Sequence, residues 1–243
     1  MAKVKIGCSG FMYDHWRGVF YPEGLPKKNW FQYYTGVFDT VELNVTFYRL
    51  PKRESFAGWY KKSPEGFSFS IKGSRYITHV RRIKEPEEAL ERFFDVAVDL
   101  RDKLSVVLWQ FPPGFGLDLN RLENFLFMLR KYRVRHAFEF RHQGWIVPEV
   151  TELLRDEGHA FCMADWPEFI NELPVTADFV YMRRHGHGGR YNSCYSLDEL
   201  RKDAGRIKGY LKQGLDVYMY FNNDAFGYAP KNAVELKELL GRK

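Results

Sequence analysis

Short apolar runs rich in β-branched and aromatic residues recur along the whole chain, separated by longer stretches with charged faces. Eight of them read as strands: KVKIGC (3–8), TVELN (40–44), FSFSIK (67–72), SVVLWQ (105–110), HAFEFR (136–141), AFCMAD (160–165), FVYMRRH (179–185) and VYMYFN (217–222). Between them, apolar positions recur at helical spacing in EPEEALERFFDVAVDLRDKL, NRLENFLFMLRKY, VPEVTELLRDEG, SLDELRKDAGRIKGYLKQG and NAVELKELLG. Helix ends are marked too. Glu87 and Glu88 follow Pro86, Asp198 and Glu199 follow Ser196, and Gly158 and Gly214 close two helices, as the helix dipole and the left-handed C-cap require. Eight β/α alternations in 243 residues match a minimal (β/α)8 barrel. A doubly wound open sheet is the alternative, but CSGFMYDHW after the first run has no GxGxxG turn. The prediction is a single-domain α/β chain, a (β/α)8 TIM-type barrel over residues 1–243, in which WPEFINELPVTAD leaves room only for a short helix after the sixth strand.

The same alternation that marks the strands also marks their ends. Residues two apart on a strand share a face, and the stretch AFEFRHQGW turns from apolar to charged at Glu139 and Arg141. In a parallel barrel the carboxyl ends of the strands open onto the face where active sites lie, so such a switch delivers polar groups to that mouth. The other runs repeat it. The second supplies Glu42 and Asn44, the third Lys72, the fourth Gln110 and the sixth Asp165; the seventh supplies Arg183 and His185, and the eighth Asn222, followed by Asn223 and Asp224. A lone Glu/Arg pair is as readily a structural ion pair as a catalytic one, but so many polar groups aimed into one opening would be costly to bury without a ligand.

Composition narrows the setting. With 45% hydrophobic and 17% aromatic residues the chain can fill a large core. A net charge of +6, from 37 basic and 31 acidic residues, is compatible with a phosphate-bearing partner without requiring one. Cys8, Cys162 and Cys194 are widely spaced and odd in number, which suggests neither a disulfide framework nor a zinc knuckle. No signal-peptide core or membrane-length apolar run is evident. The expectation is a cytoplasmic protein without membrane association.

Further features bear on ligands. RHGHGGR (184–190) follows the seventh strand, where barrel phosphate sites are often built. Tyr13, Trp16, Tyr48, Tyr76, Trp145, Trp166 and Tyr191 crowd the expected mouth and suit stacking on sugars or bases. Glu42, Glu139, Asp165, His185 and His79 are an alternative divalent-metal set. Against it, Lys72, Arg141 and Arg183 bring positive charge to the same place, so no cofactor is required.

These stretches also resemble a known family. IGCSGFMYDHWRGVFYP, FDTVELNVTFYRLP, GFSFSIKGSRYITH, LWQFPPGF, HAFEFRHQGW, ADWPE, VYMRRHG and VYMYFNND are similar, in order, to the motif series of the DUF72 (YecE-like) family. The resemblance implies a (β/α)8 barrel and no settled activity; the family's likeness to endonuclease IV and sugar-isomerase barrels suggests nucleic-acid or phosphate-ester chemistry by fold analogy. Matching positions include Glu42, Asn44, Thr46, Tyr48, Lys72, Thr78, His79, Gln110, Glu139, Arg141, Trp145, Asp165, Arg183, His185, Gly186, Asn222 and Asn223. Phe11, where the family usually has tryptophan, and the HGHGGRYNSCYS loop depart from the pattern.

Two functions compete on these grounds. One is an enzyme acting on a phosphate- or sugar-containing substrate, nucleic acid included, with Glu42, Glu139, Asp165, His185 and His79 in acid–base roles. Asn44, Tyr48, Lys72, Gln110, Arg141, Trp145, Arg183, Asn222 and Asn223 would then bind substrate. The other is a non-catalytic protein that captures nucleic acid or a nucleotide-like molecule with the same cations and rings.

Overall fold

The computed structural model describes residues 2–165 and 173–242. Every ladder is parallel. One sheet has the order β1-β9-β8-β7, built from Val4–Cys8, Asp216–Phe221, Phe179–Arg184 and Met163–Ala164. The other runs β2-β3-β4-β5-β6, built from Thr40–Leu43, Ser68–Lys72, Leu104–Phe111, Arg135–Phe140 and Ala160–Phe161. All eight predicted runs are therefore strands, but the ladders form two sheets rather than one ring. The sixth run divides at Cys162: Ala160 and Phe161 pair with β5, Met163 and Ala164 pair with β8, and the Cys162 N–H still bonds the Phe138 carbonyl at 2.8 Å. At the opposite junction Ser9, just past β1, bridges Glu42 of β2.

Side chains from both sheets face one another across the interior. The Tyr220 hydroxyl of β9 lies 2.7 Å from Thr40 Oγ1 and 2.8 Å from Ser70 Oγ, so each buried hydroxyl finds a partner on the other sheet. Helices cover the outer faces as their periodicity predicts. Leu90, Phe93, Phe94 and Ala97 form the buried stripe of α4 (Glu87–Ala97), and Phe93 meets the Trp109 ring on β4. The predicted helix that continued to Leu104 instead ends at Ala97, and a tighter turn broken at Arg101 (φ 49°) follows. Helix α7 (Leu197–Lys212) begins on a complete capping box between Ser196 and Glu199, the reciprocal pairing that satisfies exposed N–H groups at a helix start.

The segments before β4 carry helices that the sequence pattern left unread. They are α1 (Trp30–Val37), α2 (Val45–Tyr48), α3 (Arg53–Lys62) and a π-turn at Tyr76–Val80. Among the described residues, helices α5 (Leu119–Leu129), α6 (Pro148–Asp156) and α8 (Tyr228–Leu239) complete the set. Among the described residues no helix is long and apolar enough to cross a membrane. Trp166 and most of the short helix expected after the sixth strand lie outside the described residues.

Candidate functional site

Parity brings the carboxyl-end residues together around Arg183. Its guanidinium lies between two carboxylates from different strands, and neither these nor the cation has measurable solvent exposure. Nη2 donates to Glu42 Oε1 at 2.8 Å, Nε donates to the same carboxylate at 3.1 and 3.2 Å, and Nη1 donates to Glu139 Oε2 at 2.6 Å. Ser9 Oγ and the Tyr181 hydroxyl complete the shell of Glu42 at 2.5 and 2.6 Å. A planar fork of five donors suits such a bridge, where a lysine would offer only a point charge. The outward residue next in sequence has the opposite fate, since Arg184 pairs with Asp203 on α7, Nε to Oδ2 at 2.7 Å.

Arg141 forms the next layer. Its Nε donates to Glu139 Oε1 at 2.7 Å and its Nη2 lies 3.0 Å from His185 Nε2. Arg183 Nη1 approaches the same His185 nitrogen at 2.8 Å. Guanidinium groups only donate, so His185 Nε2 accepts and the proton sits on Nδ1, 3.3 Å from Asp165 Oδ1. Asp165 also accepts from the His185 backbone N–H at 2.8 Å and from the Tyr195 hydroxyl.

The electrostatics follow from this arrangement. Burial alone would push Glu139 up, but Arg141 and Arg183 outweigh it and hold the carboxyl far below the usual range. Glu42 is lowered in the same way, with burial opposed by Arg183, Ser9 and Tyr181. Burial and then Arg183 push His185 down to about 4, so the imidazole is neutral near pH 7. Burial and then Arg183 also lower Lys72, to about 7.

Lys72 and His79 share one surface. The Phe47 ring of α2 has Lys72 Nζ 4.2 Å from its centre and the His79 ring at 4.9 Å, edge-on. Burial and then Lys72 lower His79 to about 4. Gln110 is buried at the end of β4, its backbone in register with Glu139. Asn44 and Asn222 are half-buried at the ends of β2 and β9, and the Asn44 Oδ1 is buried without a hydrogen-bond partner.

Three predicted binding residues are placed elsewhere. Tyr48 is 78% exposed because the chain enters α2 after Leu43, which turns Phe47 inward instead. Trp145 is fully buried, stacked on Phe140 at 4.9 Å with its indole N–H donating to the Phe115 carbonyl at 2.6 Å. Asn223 is fully buried and donates to Ser193 O and Asn232 Oδ1, both at 2.9 Å. These two side chains hold loops together. The glycine loop is likewise occupied: the Gly186 N–H donates to the Tyr195 hydroxyl and the His187 N–H to Ser193 Oγ, each at 2.6 Å. Those two amides are not available as an anion cradle.

The metal alternative does not fit the donor set. Arg183 occupies the space between Glu42 and Glu139, and His185 is engaged at both nitrogens. Among the described residues no three His, Cys, Asp or Glu side chains converge as ligands. A cavity of about 850 Å³ opens beside the network, lined by Gly10, Tyr13, Phe31, Asn44, Trp59 and Lys62 among others. Ser9, Tyr181, Phe47 and Tyr195 are site residues that the pattern missed. Tyr181 was within reach, two residues before Arg183 on the same face; Tyr195 comes from a loop with no local signal.

Comparison with known proteins adds the family. The chain is 28% identical to the UPF0759 protein YunF of Bacillus subtilis (strain 168), over 98% of this chain and 94% of the relative. A crystal structure of a DUF72 family protein from Thermotoga maritima MSB8 superposes with a TM-score of 0.85 at 32% identity, covering 99% of this chain and all of that one. More distant in sequence is D-psicose 3-epimerase from Clostridium cellulolyticum H10, solved with D-tagatose, with a TM-score of 0.57 at 9% identity and 98% of each chain covered; that likeness is one of fold alone. Residues 5–243 match the family model described as protein of unknown function DUF72, and with the strand-end pattern running through the same residues, the chain belongs to that family.

Proposed function

We propose that this protein is an enzyme acting on a small phosphate- or sugar-containing substrate at the carboxyl ends of its strands, and that its two sheets together make one (β/α)8 barrel. Supporting the barrel are the Ser9–Glu42 bridge, the division of the sixth strand between both sheets, and the side-chain bonds that cross the interior from Tyr220 and Arg183. The observation that carries the substrate class is the charge balance of the mouth. Glu42 and Glu139 are neutralised by Arg183 and Arg141, and Lys72 stands beside them with no carboxylate among the described residues within ion-pair distance. Anionic or hydroxyl oxygens of a substrate are its natural complement.

Roles follow from the same geometry. Glu139, buried and held by two guanidiniums, is a weak base that orients Arg141 and Arg183. Lys72, lowered to about 7, is better placed to move protons near pH 7, while His79, lowered to about 4, is a neutral hydrogen-bonding group there. Asp165 fixes the tautomer of His185. Arg141, Gln110, Asn44 and Asn222 would bind and orient the substrate.

The test is calorimetric titration with inorganic phosphate, ribose 5-phosphate and a single-stranded oligonucleotide at low and high salt, for the wild type and Arg141→Ala. Binding that weakens about tenfold or more in the variant is expected, the loss typical when one partner of a buried charged contact is truncated. No binding, or binding indifferent to Arg141, overturns the reading. The positive net charge favours a second reading, non-catalytic capture of nucleic acid. Salt-sensitive oligonucleotide binding without any change in the oligonucleotide would favour it.

A further inference from the structure

Lys72 ends β3 with its side chain on the interior face, only 9% exposed. Among the described residues its Nζ has no hydrogen bond or ion pair, and the Phe47 ring lies against it at 4.2 Å. The backbone there is fixed from both sides: Thr46 Oγ1 donates to the Lys72 carbonyl at 2.6 Å, and Gly73 lies flush against the Trp109 ring. The charged groups around the amine come from every neighbouring element: Arg183 from β8, Glu139 and Arg141 from β5 and its end, Glu42 from β2, and His79 from the π-turn. Two guanidiniums oppose a third positive charge, while the carboxylates that would favour it are already engaged with those guanidiniums.

We propose that Lys72 is a nucleophile that forms an imine with an aldehyde or ketone substrate. This rests on the reading that a small oxygen-rich substrate enters at the strand ends; an open-chain sugar or sugar phosphate supplies the carbonyl. The neutral amine's lone pair forms the C–N bond while the carbonyl π pair moves to oxygen. One amine proton passes to that oxygen, giving a carbinolamine. The C–O bond then breaks, and oxygen leaves as water with the second amine proton, leaving the neutral imine. His79 lies against the same Phe47 ring. The lowering of Lys72 to about 7 supports this chemistry, because much of the amine is unprotonated at neutral pH.

The experiment uses the full chain. Trace acetic anhydride labelling across a pH series, read by peptide mass spectrometry, compares Lys72 with the exposed Lys52 and Lys84. In parallel, glycolaldehyde and glycolaldehyde phosphate are each trapped with sodium borohydride. Lys72 is expected to label with a midpoint near 7 and faster than the two references at neutral pH, by up to the order of a thousandfold from its larger unprotonated fraction. The reduced adduct should sit on Lys72 and vanish in Lys72→Arg and Lys72→Met. Labelling no faster than Lys52 and Lys84, or an adduct spread over surface lysines, overturns the proposal. Phosphate binding that persists with an unreactive Lys72 would sink the imine alone. A reactive Lys72 trapped equally by both aldehydes, without phosphate binding, would retain the imine and remove phosphate from the substrate.

Discussion

Replacing Arg183 with methionine tests the centre of the network directly. The wild-type cation lies between Glu42 and Glu139, and all three groups are without solvent exposure. Removing one partner of such a buried pair leaves uncompensated charge and costs about 3–5 kcal/mol. At about 2–4 °C per kcal/mol for a chain of this size, the melting temperature should fall by about 6–20 °C. The loss should also depend on pH. In the wild type both carboxyls are lowered on folding, so their contribution is present above the unfolded value of about 4.3 and is lost as pH falls through the folded values. In Arg183→Met Glu42 loses its ion-pair partner and burial raises it, so its contribution is present below about 4.3 and is lost as pH rises through the folded value, while Glu139 keeps Arg141 and loses only part of its lowering. His185, freed of a cationic neighbour, moves the difference the same way. The stability gap between the two proteins must therefore widen from pH 4 to pH 7. Urea denaturation followed by circular dichroism at several pH values measures it. Adding Glu42→Leu to Arg183→Met should restore part of the stability, because it removes the stranded carboxylate while Glu139 keeps its pair with Arg141. A loss under about 1 kcal/mol, or one flat with pH, would refute a charged, desolvated triad.

Other consequences follow from burial and packing. His136, His159 and His185 are pushed down by burial to about 3, 4 and 4; with unfolded values near 6.5, stability should fall as pH drops from about 6.5 toward 4, and imidazole titration by NMR should show all three neutral at pH 6. Trp145→Phe removes the donor to the Phe115 carbonyl and should cost about 1–3 kcal/mol in denaturant unfolding while leaving phosphate affinity unchanged. A Cβ at Gly73 would lie 2.2 Å from the Trp109 ring, so Gly73→Ala should destabilise by about 1–3 kcal/mol, visible as a lower urea midpoint at constant slope.

What the sequence determined by itself is what depends on local period. Alternation put Glu139 with Arg141 and Arg183 with His185 on shared faces, and the 3.6-residue repeat located α4 to α8, because backbone geometry alone fixes where successive side chains point. Helices α1 to α3 escaped that reading because their stripes are short or thin: α1 spans eight residues, α2 four, and α3 buries Phe56 as its one fully buried residue. Tertiary structure decided everything that depends on neighbours distant in the chain. Arg183 and Arg141 looked equivalent as charged strand ends, but Arg183 is reached by acids from two other strands and so becomes the buried bridge. Past the last strand residue, parity no longer holds. The chain's turn into α2 exchanges Tyr48 for Phe47, and the loops around Trp145 and Asn223 direct those side chains into packing with Phe140, Ser193 and Asn232. A strand's own geometry aims its side chains, but the partner that each one meets, and therefore its charge state, is set by the elements folded against it.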